Sequence, residues 1–199
     1  IGDNPEEVID IASAFIKGMN QAGMKATGKH FPGHGGIYAD SHLTFSQDTR
    51  SLSELEDHDL LPFDALKSQL GAIMTAHISF SNIDKEIATF SKFWLQDILR
   101  NKLGFSGTIF SDDLSMKGAD YIGGIEAKVG KALESGCNMV LVCNDRPAAL
   151  KAINFLEKEK ISQSQKATKL KASQSIIWAD LEKDARRKDI IDKLNIIGK

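Results

Sequence analysis

Two apolar patterns alternate along the chain: residues recurring every three or four positions, and short unbroken runs. "NPEEVIDIASAFIKGMNQAG" shows the first, with Val8, Ile11, Ala12, Phe15, Ile16 and Met19 on one helical face. Asn4 suits its N-cap, Pro5 its first turn and Gly23 its stop, and Glu7 completes a capping box. "SLSELEDHDLLPFDALKSQL" repeats the helical spacing, with Ser53 and Glu56 as a second capping box and Pro62 where the helix kinks or restarts. Further helices are predicted from the cap Ser91 to the stop Gly104, over about 125–134 before Gly136, and in "RPAALKAINFLEKEK".

Between these lie "MKATGKHF", "GAIMTAHISF", "GTIFSD" and "CNMVLVCN", which predict strands around 24–30, 71–77, 107–112 and 137–143. Continuous apolar runs are the pattern of parallel strands buried on both faces. The fold class is therefore α/β, about four parallel strands joined by crossover helices. Residues 160–199 carry no strand signal. They read as charged helices with Ile176, Ile177 and Trp178 as docking residues.

Composition narrows this picture little. The 199 residues suffice for one sizeable core, and 42% hydrophobic with 26% charged residues is ordinary for a soluble globular chain. A net charge of -2 gives no basic face for nucleic acid or an anionic membrane. No apolar run approaches the ~18 residues of a membrane span, and the residues after Ile1 lack the regions of a signal peptide. Cys137 and Cys143, at the two ends of one predicted strand, would stand about 20 Å apart. A disulfide needs Cα atoms within about 7 Å, so both read as free thiols, which favours a reducing compartment.

The strand ends change the picture more. Lys29-His30, His77, Asp112-Asp113 and Asn144-Asp145 follow the four runs. Parallel α/β folds, barrels and doubly wound sheets alike, bind ligands at those carboxyl ends. The loop "GKHFPGHGGIYADSH" adds three histidines and Asp40. His30, His34, His42, Asp40 and His77 could form a metal-dependent hydrolase site, although no H-x-H or HExxH is present. A phosphate cradle would want GK[ST] after the glycines, and Lys29 precedes them. An acid/base pair fits the spacing of Asp40 and His42, whose side chains share a side of an extended segment. A carboxylate there fixes the imidazole tautomer and raises its pKa. Asp112 and Asp113 point opposite ways if extended, so one of them faces the site. A strand-end carboxylate opposite a loop acid/base suits glycosyl transfer.

"KHFPGHG", "ADSH" and "IFSDDLSMKGA", with the intervening "AIMTAHISFSNID" and "NKLGFSGTIFSDDLSM", closely resemble the cytoplasmic β-N-acetylhexosaminidases of glycoside hydrolase family 3, over roughly 5–150. The resemblance implies a retaining hydrolase of terminal β-linked N-acetylglucosamine. Its substrate would be N-acetylglucosaminyl-1,6-anhydro-N-acetylmuramic acid, with or without peptide, in cell-wall recycling. By motif position Asp112 is the nucleophile, His42 the acid/base and Asp40 its dyad partner. Lys29 and His30 bind sugar hydroxyls, and His34 belongs to the turn. No metal or organic cofactor, nucleic acid or membrane is implied, and the location is cytoplasmic. The family's barrel has further strands before the equivalent of Asn4, which supply an aspartate and arginines. Residues 1–159 are thus expected to be the C-terminal half of a TIM-type (β/α)8 barrel, with 160–199 a helical tail packed on it. Alone, such a chain is expected to be inactive and to self-associate through its exposed face. A non-catalytic half-barrel and a His/Asp metallohydrolase are the alternatives.

Overall fold

The computed structural model describes residues 2–34 and 46–197. In chain order its elements are α1 (Pro5–Gln21), β1 (Thr27–Phe31), β2 (Ser46–Asp48), α2 (Leu52–Asp57), α3 (Leu60–Leu66), β3 (Ala72–Thr75) and β4 (Ile78–Phe80). Then follow α4 (Phe93–Lys102), β5 (Thr108–Asp113), α5 (Ile125–Ser135), β6 (Met139–Leu141), α6 (Arg146–Lys158), α7 (Gln165–Thr168), α8 (Trp178–Lys183) and α9 (Ala185–Ile197). The main sheet runs β1-β3-β5-β6, all parallel and in sequence order. A second, parallel pair joins β2 to β4. Strands of three residues are too short to show a period, and the sequence reading missed this pair.

Local chemistry sets the helix ends. Asn4 Oδ1 accepts from Glu7 N at 2.9 Å. The Glu7 carboxylate takes Asp3 N rather than Asn4 N, so the expected capping box is only half formed. The second box forms at Ser51 and Glu54, not at Ser53 and Glu56. "SLSELE" fits the motif in both frames, and the earlier start places Leu55 in the helical turn that buries it completely. Pro62 lies in the first turn of α3, where the chain restarts after His58. The helix expected from Ser91 is capped there, with Trp94 N donating to Ser91 Oγ at 3.0 Å. Its turns are wide, with bonds to the fifth residue back, as from Leu103 N to Ile98 O at 2.8 Å.

The core lies between one face of the sheet and the helices. Ile73 and Ile109 are register partners there, and Phe31, Leu55, Trp94, Leu95, Leu99 and Val129 pack with them. Met74, Phe110 and Met139, the next residues in register, point to the opposite face and are only half-buried. Residues 165–174 run along the N-terminal ends of the strands. Thr108 Oγ1 donates to Lys166 O at 3.0 Å and Ser173 N to Gly23 O at 2.9 Å. Ile176, Ile177 and Trp178 are exposed instead of docked. Contact through α7 and the turn after it requires no apolar anchor at those positions.

Candidate active site

Of the candidate site residues, Asp112 stands at the C-terminal end of β5, and Lys29 and His30 at that of β1. β1 carries one extra residue between Gly28 and Phe31 relative to β3, and β5 one extra between Phe110 and Asp113 relative to β6. Such bulges re-aim side chains. Between the two strands His30 Nε2 lies 3.9 Å from Asp112 Oδ2. Asp112 Oδ1 accepts from Asp113 N at 2.8 Å, so Oδ2 is the oxygen turned toward His30. The Asp112 side chain keeps 14% of its surface accessible, so it is largely shielded yet reachable from solvent. Lys29 is exposed, next to His30 on β1. The His30 and His34 rings are 6.0 Å apart.

Asp113 does a different job. Its Oδ1 accepts from Ser115 N at 3.0 Å and Cys143 N at 2.9 Å, and its Oδ2 accepts from Ser115 Oγ at 2.7 Å. Those bonds tie the end of β5 to the end of β6 and to the following turn. The two adjacent carboxylates thus diverge, one toward His30 and one into backbone. Lys128, buried on α5, donates to Leu114 O at 2.9 Å and to Asp120 Oδ1 at 2.7 Å, fixing the same turn from below.

His77 is fully enclosed under this turn. Nε2 lies 3.0 Å from Asp113 O and Nδ1 lies 2.9 Å from Thr89 Oγ1. Burial pushes its pKa down against the opposing pull of Asp112 and Asp113, so the ring is neutral near pH 7. Both ring nitrogens are engaged by protein groups, which removes His77 from the metal reading. Among the described residues no group of three or more His, Cys, Asp or Glu could hold a metal ion. Asn144 and Asp145, also expected near the site, instead close β6: Asp145 Oδ1 accepts from Ala148 N at 2.9 Å and caps α6. Cys137 and Cys143 are free, the first buried with its thiol pushed up to about 12 by desolvation.

Asp40 and His42 lie outside the described residues. The chain leaves toward them past Gly33 and returns through β2. Arg50, just after β2, donates to Asp48 Oδ2 at 2.7 Å and to Asp59 Oδ2 at 2.6 Å. A Cβ on Gly33 would fall 2.3 Å from Asp59 Oδ1, so only glycine passes there without displacing that carboxylate. Arg50 and Asp59 escaped the sequence reading. An Arg between two Asp at spacings of two and nine has no periodic signature, and only the fold unites them. Lys128 escaped that reading too, although its place four residues before Ala132 on the buried face of α5 was a signal that could have found it.

Residues 1–174 match the N-terminal domain of glycosyl hydrolase family 3. The β-hexosaminidase of Tolumonas auensis is 47% identical over 195 residues, 97% of this chain and 58% of that protein. The β-hexosaminidase of Idiomarina loihiensis is 52% identical over 150 residues, 75% of this chain and 46% of that protein. Among solved structures, NagZ of Neisseria gonorrhoeae in complex with N-trifluoroacetyl-D-glucosamine superposes with a TM-score of 0.75 at 41% identity, over 86% of this chain and 50% of that one. The chain spans about half the length of the curated relatives it matches.

Proposed function

Because the chain belongs to glycosyl hydrolase family 3, we propose that residues 1–159 form the C-terminal half of a (β/α)8 barrel which, once completed, is a retaining β-N-acetylhexosaminidase. Residues 160–199 are its helical tail. The substrate class is terminal β-linked N-acetylglucosamine, specifically the disaccharide with 1,6-anhydro-N-acetylmuramic acid and its peptides. The observation that carries this reading is the Asp112 carboxylate, largely shielded, tied at Oδ1 and turned at Oδ2 toward His30.

In the first step Asp112 Oδ2 attacks the anomeric carbon, the glycosidic C–O bond breaks, and His42 gives its proton to the leaving oxygen. In the second, His42 takes a proton from water, whose oxygen attacks the anomeric carbon and releases the Asp112 carboxylate. Asp40 holds His42 in the tautomer that works and sustains its basicity. Lys29 and His30 donate to sugar hydroxyls. None of these steps needs a cofactor. The two free thiols support a reducing, cytoplasmic location.

The test is turnover of a chromogenic β-N-acetylglucosaminide by the completed barrel, with the first-formed anomer read by proton NMR. The β-anomer is expected, and no turnover by the 199 residues alone. An inactive completed barrel, or an α-anomer formed first, overturns the reading.

A further inference from the structure

We propose that His77 is a positioning residue for the nucleophile, the head of a buried hydrogen-bond chain Thr75–Thr89–His77 that fixes the Asp113 carbonyl and thereby the direction of Asp112. The inference rests on the assignment of Asp112 above. It concerns a histidine that touches no substrate.

The hydrogen positions follow from the partners. Asp113 O is a carbonyl and can only accept, so His77 Nε2 carries the hydrogen across the 3.0 Å contact. A neutral ring then has a bare Nδ1, which accepts the Thr89 hydroxyl at 2.9 Å. Thr89 in turn accepts from Thr75 Oγ1 at 2.8 Å. Thr89 has one hydroxyl hydrogen and a second acceptor in reach, Ala76 O at 3.0 Å. The neutral ring takes that hydrogen, and a protonated ring would turn it to Ala76. Thr75, Thr89 and His77 are all buried, and the His77 ring lies nearly parallel to Phe90 at 6.1 Å between centroids. Nothing here can re-solvate if a partner is lost, so the ring has one orientation.

What the chain holds is the bulged end of β5. Its backbone would otherwise be the least constrained part of the strand, because the extra residue has no ladder partner. Three backbone groups beside it have fixed partners. Asp113 N goes to Asp112 Oδ1, Asp113 O receives His77 and Met116 N, and Leu114 N goes to Leu141 O. A shift of the Asp113 peptide carries the Asp112 carboxylate with it, since Asp112 Oδ1 is bonded to that same peptide's neighbour. Misplacement by about 1 Å can cost on the order of 100-fold in rate.

The experiment compares the completed enzyme with its His77→Gln, His77→Asn, His77→Phe and Thr89→Val variants. The Gln amide nitrogen reaches the Nε2 position, while the Asn amide reaches only the Nδ1 position. On an aryl β-N-acetylglucosaminide, His77→Gln should keep kcat within about 10-fold. Asn and Phe should lose about 100-fold in kcat with KM little changed. Nitrogen-15 NMR of the unaltered enzyme should show His77 as the neutral Nε2–H tautomer at pH 7, and Thr89→Val should mix the tautomers. A wild-type enzyme that does not turn over the sugar overturns the functional reading. An active wild type with an Nδ1–H tautomer, or with Gln no better than Phe, overturns the positioning role. The tautomer is read without any variant, so a substitution that fails to fold does not shield the proposal.

Discussion

The two faces of the main sheet are built from neighbouring residues yet differ in every respect. Ile73 and Ile109 are fully buried against helices, whereas Met74, Phe110 and Met139, one residue along, are half-buried and face away from them. The first face is a finished core. The second presents bulky apolar side chains that are not packed as deeply, as the proposed half-barrel requires of its inner face. At its C-terminal rim the same face carries Asp112 and His30. The contrast teaches that stability and chemistry are separated within single strands: alternate residues serve the helices and the site.

The largest expected effect breaks the symmetry of the Asp112-Asp113 pair. In the completed enzyme Asp112→Ala should cost several orders of magnitude in rate, because no group remains to form the glycosyl-enzyme. Asp113→Ala should cost far less in chemistry but lower the melting temperature, since it removes three hydrogen bonds at the β5–β6 end. Steady-state kinetics with thermal melts decide it, and reversed phenotypes would exchange the two roles.

A second experiment sharpens the contrast of faces directly. Ile109→Ala should destabilise by about 2–5 kcal/mol in the isolated chain and the completed barrel alike. Met74→Ala should cost under about 1 kcal/mol in the isolated chain and more once the barrel is closed over it. Urea titration of the four proteins measures both differences. Equal costs in both settings would mean that the Met74 face has no missing cover.

Self-association is the third. β1 and β6 lie at the sheet's edges, and edges beside an apolar face are sticky. Light scattering should show the isolated chain as a dimer or larger at micromolar concentration, and Phe110→Lys should shift it toward monomer. A stable monomer with an unaltered Phe110 would contradict the open-face reading.

The last effect concerns Arg50, just after β2. Burial raises the pKa of Asp48, but the hydrogen bonds and charge of Arg50 outweigh it, and the net shift is downward from 3.8. The unfolded chain therefore binds that proton first. The stabilisation is fully present above about pH 4 and is lost as pH falls through the lower folded value. Arg50→Lys should cost about 1–3 kcal/mol and flatten this acid limb, as read by urea midpoints from pH 5 to 2.

Much of this was legible in the sequence because it is local or periodic. The parallel strands in sequence order and the restart at Pro62 followed from apolar runs and punctuation. So did the caps at Asn4 and Ser91. What escaped has other causes. "SLSELE" offers two capping frames, and only the burial of Leu55 chooses between them. The exposed Ile176, Ile177 and Trp178 were read as anchors from hydrophobicity alone, while the actual contacts come from Lys166 and Ser173. The bulges in β1 and β5 insert single residues that no pattern marks. His77 was visible at a strand end, but its partners come from two other segments, at Thr89-Phe90 and Asp113.

The central claim is that Asp112 is the nucleophile of a retaining glycosidase. The most direct measurement is peptide mapping by mass spectrometry after the completed enzyme is trapped with a slow, activated N-acetylglucosamine analogue. The expected result is one sugar mass on the peptide containing "SDDL", fragmenting to Asp112. An adduct on Asp113 or elsewhere, or sugar released by inversion with no adduct, would contradict it.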